Sequence, residues 1–130
     1  MANLKQLKTD PNLREEGVEF HFALDVYLMV RPMPNPEFSA YVRKQSKGFR
    51  RGNVDPEVAE GLSIDGVARH VLVGWRGLDD DDGEPLECTL ENRLKLLKDP
   101  DLRELTDFIV TVASDLSNFR AEELEADAKN

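Results

Sequence analysis

The sequence has few of the side chains on which catalysis and metal binding most often depend. It contains one cysteine and two histidines among 130 residues. A single cysteine excludes an internal disulfide framework, and Cys88, His21 and His70 are too widely spaced along the chain to form a zinc-binding signature. No glycine-rich phosphate loop is present, because the glycines of "GLDDDDGEP" enclose anions that repel phosphate. We therefore expect a non-enzymatic protein with no catalytic residue, cofactor or metal.

Long apolar runs and an excess of basic residues are also absent. No stretch approaches the roughly 20 apolar residues of a membrane span, and the opening "MANLKQLKTD" lacks the apolar segment of a signal peptide. Lysine and arginine number 17 against 26 aspartates and glutamates, for a formal net charge of −9. This balance argues against nucleic acid as a partner. The sequence predicts a cytoplasmic protein with neither a membrane nor a nucleic-acid partner.

Four consecutive aspartates followed by glycine suggest a calcium loop. An EF-hand loop needs oxygen ligands at its first, third and fifth positions, glycine at the sixth and a bidentate glutamate at the twelfth. With Gly83 at the sixth position, Leu78 takes the first and Thr89 the last. A leucine cannot ligate calcium, and a threonine lacks the two-oxygen bite. The pattern therefore favours a solvated turn, with Gly83 at a positive φ.

A recurring Asp-Pro or Asn-Pro pair predicts where helices begin. Asp or Asn at the N-cap accepts a hydrogen bond from a free backbone N–H, and proline at the first helical position loses nothing. The intervals between the pairs differ, which argues against a repeat architecture. The pairs are Asp10-Pro11, Asn35-Pro36, Asp55-Pro56 and Asp99-Pro100.

Residues 17–31 alternate between apolar and polar side chains, the period-two pattern of a half-buried strand. Pro32 and Pro34 end the pattern. The alternation fits either one long strand or two short strands with a turn near Leu24 and Asp25, although no glycine marks that turn.

Helical spacing dominates the remainder of the chain. A helix is predicted after Asn35. A second runs from Asp55 as far as Leu72 and Trp75, with a possible break at Gly61 or Gly66, and a short third is capped by Thr89. The last and longest has apolar residues separated alternately by three and four positions, an a/d seam that packs on its own domain or forms a coiled coil. The residues of this candidate seam are Leu102, Leu105, Ile109, Val112, Leu116 and Phe119.

The fold class predicted from these patterns is α+β, mainly α. It consists of a short N-terminal strand or hairpin region followed by a bundle of about four helices. A chain of this length can bury the core of one domain. Residues 1–120 are predicted to form a single globular domain, and residues 121–130 an acidic flexible C-terminal tail.

Charge is unevenly distributed, which identifies candidate self-association residues. Bases cluster on the helix after Asn35 and at its exit, and acids cluster in the aspartate run. Such clusters are often only solvated faces. If the bases of one copy meet the acids of the next, the heterologous contact generates a ring or a spiral. The candidate residues are Arg43, Lys44, Lys47, Arg50, Arg51, Asp79, Asp80, Asp81 and Asp82.

Residues 71–130 resemble the tail assembly chaperones of long-tailed bacteriophages and prophages. The resemblance rests on the order and spacing of short features. They are Val73-Gly74-Trp75-x-Gly77, Asp82-Gly83-x-Pro85, Thr89-x-Glu91-Asn92, Leu96-Leu97 before Asp99-Pro100, and the aromatic-then-acidic tail that begins at Phe119. Upstream the likeness thins to Gly17-Val18-x-Phe20 and the stretch from Arg31 to Asn35.

The resemblance implies a small helical protein that self-associates, binds the tape measure and tail tube proteins in the host cytoplasm, and is absent from the mature virion. It also implies a second product made by a programmed frameshift. Residues 128–130 can be encoded GCA AAA AAC, which contains a slippery heptamer. The residues alone leave open a different class, a monomeric acidic adaptor or nucleic-acid mimic that binds a basic partner surface.

Overall fold

The computed structural model describes residues 3–49 and 55–121. The elements are helices α1 (Leu4–Leu7) and α2 (Pro11–Glu16), strands β1 (Val18–Ala23) and β2 (Val26–Val30), helices α3 (Pro36–Gln45) and α4 (Pro56–His70), strand β3 (Leu72–Arg76), and helices α5 (Leu90–Lys98) and α6 (Arg103–Ser114). Short 3-10 turns occupy Ser46–Gly48, Pro100–Leu102 and Leu116–Phe119.

Three of the four predicted helix starts are confirmed, and at the fourth the helix α6 begins only at Arg103, with no side-chain cap. Asp10 opens α2, Asn35 opens α3 and Asp55 opens α4, and in each case the side chain accepts a backbone N–H of the first turn while proline takes the first helical position. Asp99 caps the Pro100–Leu102 turn, which leads into α6. Thr89 caps α5 as predicted. Local side-chain chemistry therefore determines these helix starts.

Residues 17–31 form a hairpin, the second of the two arrangements that the alternation allowed. β1 pairs antiparallel with β2, and Val18 lies opposite Val30. The turn has no glycine. Leu24 instead adopts a positive φ of 50° with its side chain 90% exposed. An L-residue in this region is strained, so the turn forms because the paired strands on either side enforce it.

The predicted fold class is wrong. The protein is a mixed α/β fold with a three-stranded antiparallel sheet in the order β1-β2-β3, and not a hairpin followed by a four-helix bundle. The helix from Asp55 ends at His70, and the next residues pair with β2, with Leu28 opposite Trp75. Leu72 and Trp75 have helical spacing, but the backbone of residues 72–76 pairs with the free edge of β2 and therefore forms a strand.

The possible helix break at Gly61 or Gly66 is also absent, since α4 continues through both glycines. Among the described residues α4 is therefore the longest helix, in place of the last one. Close packing against α3 requires glycine at position 66. A Cβ there would lie 2.7 Å from Cε2 of Phe38, so its absence allows α3 to lie close against α4.

One face of the sheet carries the core. Leu28, Val30 and Leu72 are fully buried, and helices α4, α5 and α6 cover them. The core residues on these helices are Val67, Ala68, Leu97, Leu105, Ile109 and Ala113. The sheet and the helices thus form two layers around one apolar interior.

Candidate interaction surfaces

The basic surface is formed by Arg43, Lys44 and Lys47, three exposed residues at the C-terminal end of α3 and in the turn that follows. Phe38 on the same helix is buried in the core, which turns the basic side chains to the opposite side. Positive charge is also favourable here, because the carbonyl end of a helix carries partial negative charge. The other two predicted bases, Arg50 and Arg51, lie outside the described residues.

The acidic surface is a closed turn that contains Asp79, Asp80, Asp81, Asp82 and Glu84, all exposed. The backbone N–H of Asp80 donates to the carbonyl of Glu84 at 2.7 Å. Oδ1 of Asp80 accepts the N–H groups of Asp82 and Glu84 at 2.9 and 3.0 Å. These bonds fix the turn while its remaining carboxylates face water.

The turn is held against the sheet by one aromatic side chain. Trp75 of β3 donates its indole N–H to the carbonyl of Leu86 at 2.8 Å. Gly83 has a φ of 82°, as the turn prediction requires. Among residues 3–49 and 55–121, no cluster of acids, histidines or cysteine has the arrangement of a metal site.

The basic and acidic surfaces do not pair with each other within one molecule. In the described part of the chain the ion pairs are Arg31–Glu37, Arg76–Glu19, Lys95–Glu91 and Lys98–Asp65. Within residues 3–49 and 55–121, Arg43, Lys44 and Lys47 therefore form no ion pair with the four aspartates.

The candidate seam residues do not lie on one continuous helix. α6 ends at Ser114, Leu116 is 50% exposed in the next 3-10 turn, and Phe119 is fully buried. Leu105 and Ile109 are buried in the core, with Leu102 and Val112 packed against it. The apolar face of α6 thus contacts the protein's own interior.

A polar junction that the sequence did not predict joins α2, β2, α3 and α4. Nε of Arg31 donates to the carbonyl of Arg14 at 2.9 Å, and its Nη2 contacts Glu37 at 3.1 Å. The buried amide of Asn35 donates to the carbonyls of Pro32 and His70, each at 2.9 Å, while its Oδ1 accepts the N–H of Phe38. Asn35 therefore caps α3 and also ties it to the end of α4. The Asn-Pro pair revealed only the first role.

Two pKa values in this junction are shifted. Burial lowers the pKa of His70, and Arg31, Arg69 and Arg93 lower it further while Glu37 opposes them. The pKa of the Glu37 carboxyl is also lowered, first by its own backbone N–H and then by the hydrogen bond from Arg31. Both groups are therefore stabilised in the forms that prevail at neutral pH.

The structure does not bring Cys88 and the two histidines together into one group. The ring of His21 is tilted against that of Tyr27 with centroids 4.8 Å apart, whereas His70 lies against Tyr41 at 5.9 Å. Burial raises the pKa of the Cys88 thiol. A protonated thiol is a poor nucleophile, so Cys88 fits the role of a small apolar group.

The face of the sheet opposite the core carries a second unpredicted cluster. Arg76 of β3 makes two hydrogen bonds to Glu19 of β1, at 2.8 and 2.9 Å, and its guanidinium carbon lies 3.8 Å from the ring centroid of Tyr27 on β2. These contacts lower the pKa of Glu19, chiefly through the hydrogen bonds from Arg76. Only the pairing of three strands juxtaposes these residues.

None of the helices in the described ranges combines the length and the apolar character needed to cross a bilayer.

Comparison with known proteins identifies the class of this protein. The chain is a phage or prophage protein. Residues 33–130 match the model of the YdaY prophage protein family, and the chain belongs to that family. A search of curated proteins and a search of solved structures each found no match.

The family match spans the basic surface, the acidic turn and every element from α3 onward, but not β1 and β2. It confirms the phage or prophage part of the resemblance described above. The tail assembly part stays a prediction.

Proposed function

We propose that this prophage protein is a tail assembly chaperone. It self-associates and binds the tape measure and tail tube proteins in the host cytoplasm, and it leaves before the virion is complete. The observation that supports this most directly is the prophage family match over residues 33–130, which contains the whole stretch that resembles tail assembly chaperones.

The charged surfaces supply a means of self-association. The acidic turn is fixed by its internal hydrogen bonds and by Trp75, and the basic surface lies at the end of a capped helix. Neither surface is neutralised by the other within the described chain. Contact between the basic surface of one copy and the acidic turn of the next is heterologous, so it forms a ring or a spiral around a partner.

The partner binding is tested by co-expression. The tagged protein is produced with the tail tube and tape measure proteins encoded in the same prophage, and the tag is captured. We expect both partners to be captured and the tape measure protein to be more soluble than when it is produced alone. Failure to capture either partner would contradict the proposal. Capture of a basic host protein instead would support the acidic adaptor or nucleic-acid mimic.

The charge-driven self-association is tested separately, by light scattering at low and high salt. We expect multimers that weaken as salt rises, since exposed charges are screened beyond about 8 Å at physiological ionic strength. Lys44→Glu together with Lys47→Glu should abolish this salt-sensitive species, whereas Lys95→Glu on α5 serves as an exposed control. Multimers that persist at high salt and in the Lys44→Glu, Lys47→Glu double variant would contradict this contact.

The frameshifted product is part of the same proposal. Residues 128–130 lie outside the described structure, so the test is the gene itself. A codon AAG for Lys129, or a stop codon immediately downstream in the −1 frame, would exclude a frameshift at this site.

A further inference from the structure

We propose that the outer edge of β1 is a second self-association surface, through which two copies join their sheets by pairing β1 with β1 of the partner copy. This inference does not depend on a role in tail assembly.

Among the described residues, other elements contact the β3 edge of the sheet and leave the β1 edge open. At the β3 edge, Trp75 bonds to Leu86 and lies beside Cys88, and Arg93 donates to the carbonyl of Leu72 at 3.0 Å. At the β1 edge, no element within residues 3–49 and 55–121 other than β2 pairs with the strand, and no turn or loop of those residues makes a backbone hydrogen bond to residues 18–23. An open edge presents unpaired N–H and C=O groups to another strand.

β1 carries little that blocks such pairing, since its one acidic residue, Glu19, is already paired with Arg76 of β3. Its sequence, VEFHFA, contains neither proline nor lysine, the two residues most often used to protect an edge. Phe20 and Phe22 point to the core side of the sheet but remain only half-buried. Their rings meet Phe119 and Phe108 edge-on. A second sheet alongside would bury the apolar surface that these rings leave exposed.

The side chains favour one antiparallel register. With Phe20 on the two-fold axis, Phe20 meets the partner's Phe20, Val18 meets the partner's Phe22, and Glu19 meets the partner's His21. Apolar residues then oppose apolar residues on the core side, and an acid opposes a histidine on the outer face, twice by symmetry.

Neighbouring registers are less favourable. A shift by one residue places the two sets of side chains on opposite faces of the joined sheet. A shift that centres Glu19 sets two carboxylates against each other. A shift that centres His21 brings the irregularity between His21 and Ala23 into the ladder. The pairing centred on Phe20 avoids the first two defects and confines the irregularity, which lies at Phe22, to the two ends of the ladder. It yields a six-stranded sheet in a closed dimer.

Disulfide trapping tests both the surface and its register. In a Cys88→Ala background, Glu19→Cys and His21→Cys are prepared as separate proteins. Directly opposed residues lie about 4.5–5.5 Å apart between Cα atoms, within disulfide range. We expect a cross-linked dimer when the two are mixed and oxidised, and little when either is oxidised alone. No cross-link in the mixture, or equal cross-linking of Glu19→Cys alone, would overturn the proposal.

A second pair of variants does not require the Glu19–Arg76 ion pair to be broken. His21→Glu places an acid opposite the partner's Glu19, whereas His21→Lys places a base there, and both remove the same ring from Tyr27. By sedimentation, His21→Glu should weaken dimerisation on the order of tenfold relative to His21→Lys. Circular dichroism confirms that both fold. Equal dimerisation of the two variants, or a parent that is monomeric at hundreds of micromolar, would contradict the proposal.

The two self-association surfaces are separable by experiment. Reversal of Lys44 and Lys47 should leave the cross-link between the Glu19→Cys and His21→Cys proteins unchanged if the β1 pairing is independent of the basic surface. Loss of the cross-link in that reversal background would show that the β1 contact has no independent existence.

Discussion

At the residue scale, single side chains perform tasks that no motif predicts. Arg31 is 12% exposed at its side chain and bonds to α2 and to Glu37 of α3. Arg93 crosses from α5 to donate to the carbonyls of Ala68 and Leu72, at 2.7 and 3.0 Å, where α4 ends and β3 begins. Such bonds satisfy carbonyls that a helix end leaves free. They therefore link the ends of elements that are distant in sequence.

Leu24 provides a test of turn strain. Because its φ is 50° and its side chain is 90% exposed, Leu24→Gly should relieve backbone strain at little cost in buried surface. We expect a gain of about 0.5–1 kcal/mol in the free energy of unfolding, measured by urea denaturation. Leu24→Ala, the control, keeps the strained Cβ and should show no such gain. A loss of stability in Leu24→Gly would mean that the contacts of the leucine side chain stabilise the fold by more than the backbone strain destabilises it.

His70 should make stability depend on pH. Its folded-state pKa lies below the ordinary 6.5, mainly because burial disfavours the imidazolium, so the unfolded chain binds the proton more readily. The contribution is present above pH 6.5 and is lost as pH falls through the lower folded-state value. The urea midpoint of the parent should fall between pH 7.5 and 5.5, and that of His70→Gln should fall less. Equal falls would contradict this role.

At the element scale, the close packing of α3 against α4 requires a residue without a Cβ at one position of α4. Helix α4 contains Gly61 and Gly66 in comparable helical backbone, but only Gly66 faces another element. The ring of Phe38 on α3 lies against it, and Phe38 is itself buried among the core residues. The α3–α4 contact therefore constrains one glycine and leaves the other free to vary.

The two glycines form a matched pair of variants. Gly66→Ala places a Cβ 2.7 Å and 2.9 Å from carbons of Phe38, so we expect a loss of about 1–3 kcal/mol through overpacking. Gly61→Ala has no atom within 4 Å of the new carbon and should gain about 0.5–1 kcal/mol in helix propensity. Thermal unfolding of both decides the matter. Stabilisation by both would show that Phe38 moves aside freely.

At the scale of the whole molecule, the family-matched region is not a complete fold. Residues 33–130 contain β3 but neither β1 nor β2. Strand β2 is the central strand, and its Leu28 and Val30 are fully buried. The N-terminal hairpin thus supplies two thirds of the sheet and part of the core that the helices cover.

Truncation tests this dependence. A fragment of residues 33–130 should lose cooperative thermal unfolding, because β3 has no strand to pair with and the core lacks Leu28 and Val30. A fragment of residues 8–130 removes only α1, which buries no residue, and should melt close to the parent. Cooperative unfolding of the shorter fragment near the parent's midpoint would show that the hairpin is dispensable.

The sequence by itself determined the local features of this protein. Helix starts at Asp10, Asn35 and Asp55, the cap at Thr89 and the closed turn at Gly83 depend on hydrogen bonds between residues a few positions apart, so they can be predicted from the chain. The charge clusters were equally visible, although what they bind stays a prediction.

Only the tertiary structure decided where long-range pairing replaces local preference. The spacing of Leu72 and Trp75 fits a helix, yet they form a strand because β2 offers its edge. The heptad-like spacing extends to Phe119, but α6 ends at Ser114, since Asp115 is extended and the carbonyls of Val112 and Ala113 accept hydrogen bonds from Asn118 and Met33. The junction of Arg31, Asn35 and His70 and the Glu19–Arg76 pair arise from residues up to 57 positions apart. Hydrogen bonds and burial across such separations are set by the assembled fold, which no short window of sequence contains.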